Sequence, residues 1–321
     1  MRKFLIDTDT ASDDAVALVM ALKAPNVHVE AITVVSGNVP LKQATENALY
    51  TVQLCGADVP VYPGADSPRV RDAAHADWFH GADGMGNSNF PLAKLRPQKE
   101  HGVDALIRVI RANAGIELVT LGPLTNVAIA LERDPSIAQN VSRCVVMGGN
   151  PSCVGNVTPA AEYNIWCDPE AAQIVFRSGM KIELVGWQLC RGEANLREPD
   201  IAHVRSIDTQ LAHFTIDINR TAMEANRIQS GEIGIALPDP VAMAVALDPS
   251  IALEKSAHRV EIECDSELTR GMTVVDQLDR GADERNQGLW MREGSQQSRA
   301  TVIWKIDIPQ WKQLLFASLS R

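Results

Sequence analysis

Short apolar runs alternate with segments of helical periodicity along most of the chain. The first run, Phe4-Leu5-Ile6, predicts a strand, and Val16, Val19 and Met20 recur after it at helical spacing. Further strands are predicted at residues 27–35, 117–121, 143–147 and 181–185, and helices at 41–55, 101–111, 127–131 and from 168. This alternation predicts an α/β fold with an open, mainly parallel, twisted sheet of Rossmann-like form, flanked by helices.

The last third of the chain continues the pattern less regularly. Its predicted elements are a mostly helical stretch over 197–228, an apolar helix after Asp239, strands near 257–263 and 300–306, and an amphipathic helix from Pro309. Two polar stretches, 63–100 and 150–167, show no sustained periodicity and are predicted loops; loops of this length in enzymes are usually functional or disordered. Because no repeat or linker interrupts the pattern, we expect a single domain over residues 1–321.

Composition and charge narrow the classes of partner. The 321 residues are 45% hydrophobic and 22% charged, which is typical of a globular protein. The net charge of −10, without a basic cluster, argues against nucleic-acid binding. No apolar run is long enough to span a membrane, and the N-terminus enters a strand without a signal-like segment, so we expect a cytoplasmic protein with a small-molecule partner. The six cysteines form no C-x-x-C pair and are expected to be reduced.

Four carboxylates crowd the end of the first predicted strand. Asp7, Asp9, Asp13 and Asp14 fall within eight residues, and such a group would repel strongly on a dry strand end unless a cation lay among them. Acidic residues also favour the first turn of a helix, but that role leaves Asp7 and Asp9 unexplained. The carboxyl end of the first strand is where open α/β sheets place ligand sites, so the sequence predicts a metal site here.

Amide and carboxylate side chains recur in two later loops. Asn38 follows the second strand, where it is either a turn residue or a ligand-binding group. Asn156, Glu162 and Asn164 stand close together in an otherwise small or apolar stretch. Such groups suit the hydroxyls of a sugar, although polarity of a surface loop would explain them too.

Three further residues have both a functional and a structural interpretation. Trp78 and His80 lie in the first polar loop, where they either reach over a ligand or pin the loop to the protein. Asp239 stands between two prolines ahead of an apolar helix, where an aspartate is usually a cap or a turn residue.

Taken together, these residues resemble the inosine-uridine-preferring nucleoside hydrolase family. The opening DTDTASDDAVAL is similar to the family's DTDPGxDDAxAL. The further matches, in order, are SGN at 36–38, HGADGMG at 80–86, GPLTN at 122–126, MGG at 147–149, GNVTPAAEYNIWCDPEAA at 155–172 and DPVA at 239–242. They cover residues 3–245 and imply a nucleoside hydrolase-like fold.

The resemblance also implies an activity and a site. It implies hydrolysis of ribonucleosides to free base and ribose, by a calcium-bound water that Asp9 activates, and a homo-oligomer, either dimer or tetramer. The implied Ca²⁺ ligands are Asp9, Asp14, Asp239 and the backbone carbonyl of Leu121. The implied ribose contacts are Asp13, Asn38, Asn156, Glu162 and Asn164, of which Asn164 also counts as catalytic. Cleavage develops positive charge on the ribosyl ring, which nearby carboxylate and amide oxygens would stabilise. Attack opposite the leaving base would invert the anomeric carbon.

The sequence departs from the family pattern at three places. Thr10-Ala11 replaces Pro-Gly, residues 186–191 read GWQLCR, and Pro238 stands where many members carry a histidine that protonates the leaving base. His80 or a solvent proton then remains as the donor, with Trp78, Trp166 or Trp187 stacked on the base. Stacking favours the larger ring and predicts a preference for purines.

Two other interpretations compete with this one. LIDTDT loosely fits the D-x-D-x-T motif of haloacid-dehalogenase-like phosphatases, with Asp7 as nucleophile and Mg²⁺ as the metal, but this leaves Asp13 and Asp14 without a role. A non-catalytic ribose or nucleoside binder would retain the pocket and lack the chemistry, and Thr10 and Pro238 are compatible with it.

Overall fold

The strands confirm the mainly parallel sheet. The computed structural model describes residues 1–286, 288 and 298–321. Its strands are β1 Arg2–Thr8, β2 Val27–Val34, β3 Val61–Pro63, β4 Ile116–Thr120, β5 Val141–Met147, β6 Ile182–Val185, β7 Ala252–Ile262, β8 Thr273–Val275 and β9 Arg299–Ile306. Among the described residues they form one sheet in the order β3-β2-β1-β4-β5-β6-β9-β7-β8. The seven strands β3, β2, β1, β4, β5, β6 and β9 are parallel to one another, whereas β7 pairs antiparallel with both β9 and β8.

Helices cover both faces of the sheet. They are α1 Ser12–Lys23, α2 Leu41–Leu54, α3 Asp77–His80, α4 Gly102–Ala112, α5 Thr125–Arg133, α6 Tyr163–Cys167, α7 Pro169–Phe176, α8 Glu198–Ser206, α9 Gln210–Asp217, α10 Arg220–Ser230, α11 Pro238–Leu247 and α12 Ile308–Leu319. Alternation along β1 shows the two layers, since Phe4 and Ile6 enter the core under α1 and α11 while Leu5 enters the core under α4 and α5. No helix in the described ranges has the length and apolarity to cross a bilayer.

The predicted loops contain short elements that the sequence pattern did not reveal. β3 and α3 lie in or beside the first polar stretch, and α6 ends the second. Elements of three to five residues are too short to show a periodicity, and β3 forms because β2 supplies its hydrogen-bonding partner. The helical stretch at 197–228 divides into three helices, with Asp208 in a left-handed conformation (φ 55°) at the first break.

An ionic ladder crosses the amino ends of the strands. Arg2 and Arg143 both pair with Glu117, and Arg143 and Lys255 both pair with Glu183. The two arginines also donate hydrogen bonds to the last carbonyls of α11, at residues 245–247. Cations at a helix C-terminus oppose the negative end of its dipole, so the ladder stabilises the C-terminal end of α11.

Candidate active site

The predicted site residues converge on one cleft at the carboxyl edge of the sheet. The empty space in this cleft, counted out to the open solvent at its mouth, is about 600 Å³. The predicted site residues that line the cleft are Asp13, Asn38, Trp78, His80, Leu121, Asn156, Glu162, Asn164, Trp187 and Asp239. Asp9 and Asp14 are fully buried and do not line it. Parallel strands bring segments far apart in sequence to the same edge, which explains the convergence.

A buried acidic group forms the floor of the cleft. Carboxylate oxygens of Asp13, Asp14 and Asp239 lie within 4.8 Å of one another. Burial raises the pKa of all three, to about 6 for Asp13, and the charge of Asp13 raises the other two further. Among the residues that the structure describes, none that lines the cleft is Lys or Arg, so no described cation offsets this charge from the cleft itself. A hard cation with oxygen ligands fits such a group.

Asp9 lies in a tight slot beside that group and is not one of the three clustered residues. Its Oδ2 accepts a hydrogen bond from the backbone N–H of Asn38 at 2.6 Å, whereas its buried Oδ1 has no hydrogen-bond partner. A Cβ added to Gly122 would lie 2.6 Å from Oδ1, and one added to Gly37 would overlap Oδ2. Burial and the charge of Asp14 raise the pKa of Asp9 well above its usual range.

The Thr10-Ala11 departure leaves Asp14 firmly held. The Thr8 hydroxyl donates to Asp14 Oδ1 at 2.6 Å, and the Ala11 N–H donates to Oδ2 at 2.9 Å. A carboxylate in the first turn of a helix satisfies a backbone donor there. The turn therefore closes through Asp14 itself without the family's Pro-Gly.

Glu162 anchors the second polar stretch at the end of β5. Its carboxylate accepts hydrogen bonds from the backbone N–H groups of Gly149 at 2.8 Å and Asn164 at 3.0 Å. Burial raises its pKa to about 7. The side chain of Asn156 accepts a hydrogen bond from the N–H of Tyr163 in the same stretch. Both side chains thus hold the loop as well as line the cleft.

Asn164 bridges the ends of two strands. Its Nδ2 donates to the backbone carbonyl of Leu121 at 2.8 Å and to that of Met147 at 3.3 Å. Leu121 directly follows β4 and Met147 ends β5, so the amide is fixed between them. Its remaining oxygen is available to a ligand in the cleft.

Aromatic side chains and His80 form the wall above the acidic floor. His80 Nδ1 lies 2.8 Å from the Ser12 hydroxyl and 3.7 Å from an Asp13 carboxylate oxygen, and burial lowers the pKa of His80 to about 4. Trp187 is buried, whereas Trp78 is 55% exposed at the mouth. Trp166 does not line the cleft, since its backbone packs on Gly271 and its ring on Tyr163.

Sequence reasoning missed several residues that line the cleft. They include Phe79, Met147, Tyr163 and Gln229. Phe79 stands between Trp78 and His80, and Tyr163 stands between two predicted ribose contacts, so adjacency was the available signal. Pro238 lines the cleft beside Asp239 and has no proton to donate.

The position of Asp7 argues against the phosphatase interpretation. Asp7 Oδ1 accepts hydrogen bonds from Thr33 at 2.5 Å and Asn126 at 2.8 Å, and neither Asp7 nor these two partners line the cleft. A nucleophile must reach its substrate, and Asp7 is held by groups behind the cleft, whereas Asp9 is held by Asn38, which lines the cleft.

Comparisons with known proteins agree with the geometry. The family model described as inosine-uridine preferring nucleoside hydrolase matches residues 4–313. A pyrimidine-specific ribonucleoside hydrolase RihA of Shewanella baltica is 38% identical, with 99% of this chain and 96% of that protein covered. Among solved structures, a plant nucleoside hydrolase superposes with a TM-score of 0.90 at 32% identity, covering 99% of both chains. A purine-preferring ribonucleoside hydrolase from Gardnerella vaginalis gives 0.88 at 28%, covering 99% of this chain and 98% of that one. The resemblance drawn from the motifs is confirmed, and the chain belongs to the inosine-uridine preferring nucleoside hydrolase family of N-glycosyl hydrolases.

Proposed function

We propose that this ribonucleoside hydrolase holds Ca²⁺ at the acidic floor of the cleft and uses Asp9 as its general base. The observation that carries the proposal is the buried group of three carboxylates, with no Lys or Arg among the described residues that line the cleft. The products are free base and ribose, as for the family. The phosphatase alternative assigns no role to this floor.

The donor set fits Ca²⁺. Asp14 and Asp239 offer carboxylate oxygens, Leu121 offers a backbone carbonyl just after β4, and Asp9 is close enough to interact electrostatically with both carboxylates. The group contains oxygen donors and neither Cys nor His, which favours a hard cation over zinc. When bound, the ion would offset the carboxylate charge and make a neighbouring water more acidic.

Asp9 is oriented to accept a proton. The Asn38 N–H holds Oδ2, so the unpartnered Oδ1 is the acceptor that remains. Oδ1 takes one proton from the attacking water as its oxygen bonds to the anomeric carbon and the bond from carbon to base nitrogen breaks. Attack from the acidic floor, with the base leaving towards the aromatic wall, inverts the anomeric carbon.

Ribose is the part of the substrate that the polar groups suit. The residues we assign to its hydroxyls are Asp13, Asn38, Asn156, Glu162 and Asn164. Their oxygens stabilise the positive charge that develops on the ring, and they do so most in the transition state. Since Asn164 is already fixed by two backbone carbonyls, little reorganisation is needed on binding.

The aromatic wall that we expect to face the leaving base offers no side chain that is a strong proton donor at pH 7. Pro238 cannot donate a proton, and His80 is neutral at pH 7 because burial lowers its pKa to about 4. We therefore assign stabilisation of the base to stacking on Trp78 or Trp187, with a proton from solvent or His80, and retain a purine preference as our prediction. The relatives bear names of both kinds, pyrimidine-specific and purine-preferring.

Two measurements test the proposal. Elemental analysis of protein purified without added metal should give about one calcium per chain, and chelation should abolish release of reducing sugar until Ca²⁺ is returned. Stoichiometric zinc, or full activity without metal, would contradict the metal assignment.

The second measurement compares the release of reducing sugar from inosine, adenosine, uridine and cytidine by wild type, His80→Ala and Trp187→Ala. A clear uridine preference that neither substitution changes would refute the account of the base, and no release from any nucleoside would leave the binder interpretation.

The remaining expectations belong to the same proposal. The helices pack on the two faces of one sheet, which supports a single domain over residues 1–321. The homo-oligomer and the cytoplasmic location stay predictions, and light scattering of the purified protein tests the first.

A further inference from the structure

One amide behind the cleft ties together the ends of neighbouring strands. Asn126 lies in the first turn of α5, is fully buried, and does not line the cleft. Its Nδ2 donates to Asp7 Oδ1 at 2.8 Å and to the carbonyl of Val34 at 3.1 Å, and its Oδ1 accepts the N–H of Ala65 at 2.8 Å. These partners lie in β1, in β2 and just after β3, while α5 itself follows β4. Four adjacent strands therefore meet at one side chain.

The packing around this amide leaves no room for adjustment. A Cβ added to Gly64 would lie 2.6 Å from Asn126 Nδ2 and 2.7 Å from its Cγ. The chain after β3 approaches Asn126 this closely because residue 64 is a glycine. Asp7 depends on the contact as well, since its other carboxylate oxygen is buried without a partner. An apolar residue at 126 would remove one of the two side-chain donors of a buried carboxylate.

The strand ends that Asn126 joins are those that carry the reacting groups. Asp9 follows Asp7 by two residues in β1 and its loop. Leu121 lines the cleft, and its N–H donates to the carbonyl of Asp7 at 2.8 Å. Beyond Val34, the chain of β2 runs to Asn38, whose N–H orients Asp9. A shift between these strands would therefore move the base, its orienting donor and a proposed metal ligand relative to one another.

We propose that Asn126 is a positioning residue for the calcium and base site, an inference that rests on the function proposed above. It touches neither substrate nor metal. It acts through Asp7, Val34 and Ala65 by fixing how the carboxyl ends of β1 to β4 lie relative to one another. Small displacements matter here, because reacting groups must be held within about 0.5 Å of their productive geometry.

Two variants perturb this contact in different ways. Asn126→Ala removes the amide, and Gly64→Ala pushes it aside while leaving it in the chain. For each, calcium affinity is measured by titration calorimetry on chelated protein, and kcat and KM by release of reducing sugar. Both variants should weaken Ca²⁺ binding by about tenfold or more, as for groups that orient metal ligands, and lower kcat at saturating Ca²⁺ more than they change KM.

The matched control is Asn195→Ala. Asn195 is an equally buried amide whose Nδ2 donates to Glu232 and to the carbonyl of Ile233, outside the cleft lining. This substitution should lower the unfolding temperature but leave the Kd for Ca²⁺ within about twofold of wild type. This control distinguishes an effect of lower protein stability from an effect of displaced site residues.

An exchange of partners supplies a rescue. Asn126→Asp places a carboxylate against Asp7, whereas the double variant Asp7→Asn with Asn126→Asp restores a donor and an acceptor to the contact. Calcium affinity should recover in the double variant relative to Asn126→Asp alone.

The proposal is overturned if Asn126→Ala keeps Ca²⁺ affinity and kcat within about twofold of wild type, or if Asn195→Ala reduces both equally. If Asn126→Ala does not fold, Gly64→Ala and the exchange decide the question. A wild type without Ca²⁺ affinity would refute the metal proposal, and the kcat comparison would then decide the role of Asn126.

Discussion

Gly122 offers the sharpest test of the slot that holds Asp9. Gly122 is not among the residues with positive φ, so its backbone tolerates alanine. The added Cβ would lie 2.6 Å from Asp9 Oδ1, whereas ordinary contact begins at 3.4 Å. The carboxylate must therefore move by about 0.8 Å, and displacements of about 1 Å cost roughly 100-fold in rate. That corresponds to about 2.7 kcal/mol of activation free energy.

The assay is steady-state release of reducing sugar from a ribonucleoside at saturating Ca²⁺, with Gly115→Ala as the matched control. Gly115 has a φ of 85° and no atom within 4 Å of an added Cβ, so alanine there strains the backbone without touching the site. Gly115→Ala should cost about 1–2 kcal/mol of stability and leave kcat unchanged. Gly122→Ala should instead lower kcat by about 100-fold. If Gly122→Ala kept more than about a tenth of wild-type kcat, the tight slot would not be what positions Asp9.

The remaining predictions concern the base, the ionic ladder and the charge of the substrate. Asp9→Asn keeps the shape of the side chain but removes the proton acceptor, so kcat should fall by at least about 100-fold; retention of more than a tenth would mean that another residue is the base. Burial raises the pKa of Glu183, but hydrogen bonds from Lys255 and Arg143 outweigh it and hold that pKa below its usual value of 4.5. The stability that the ionised group contributes is therefore present above pH 4.5 and is lost as pH falls through the lowered folded-state pKa, so the unfolding temperatures of wild type and Glu183→Gln should differ at pH 7 and converge in acid. A difference independent of pH would contradict this. Nucleoside 5′-monophosphates should be poorer substrates than nucleosides by about 100-fold in kcat/KM, since carboxylates line the cleft and the described part of the chain adds no Lys or Arg to it; equal rates would show that the phosphate stays outside it.

Local pattern predicted the fold, and the motifs pointed to many of the residues that line the cleft, whereas contacts between distant parts of the chain decided the rest. The strand that leads to Asp7 and the helix that begins near Asp13 could be predicted from the sequence because their hydrophobic patterns extend over several residues. α3 was not readable, because four residues show no period. The role of Asn126 depends on Asp7, which lies 119 residues away, so only its place in the GPLTN motif marked it.

The acidic floor shows the same limit. The sequence placed four carboxylates near one strand end, but it could not show that Asp13 would join Asp14 and Asp239 in one group while Asp9 lay in a slot beside them. That arrangement follows from how α11, which carries Asp239, packs on α1, which carries Asp13 and Asp14. Packing between elements distant in sequence fixes it, and no spacing along the chain encodes it.

The ladder that grips α11 has a consequence for engineering this enzyme. The ten residues of α11 span about 15 Å, with Asp239 at one end and the carbonyls held by Arg2 and Arg143 at the other. Most of the amino edge is remote from the chemistry and can be varied in a library for heat tolerance. Arg2 and Arg143 are the exception, since a change at either alters the seating of the helix that carries Asp239. Such a library should keep these two arginines constant, because variants selected for heat tolerance would otherwise also change in catalytic activity.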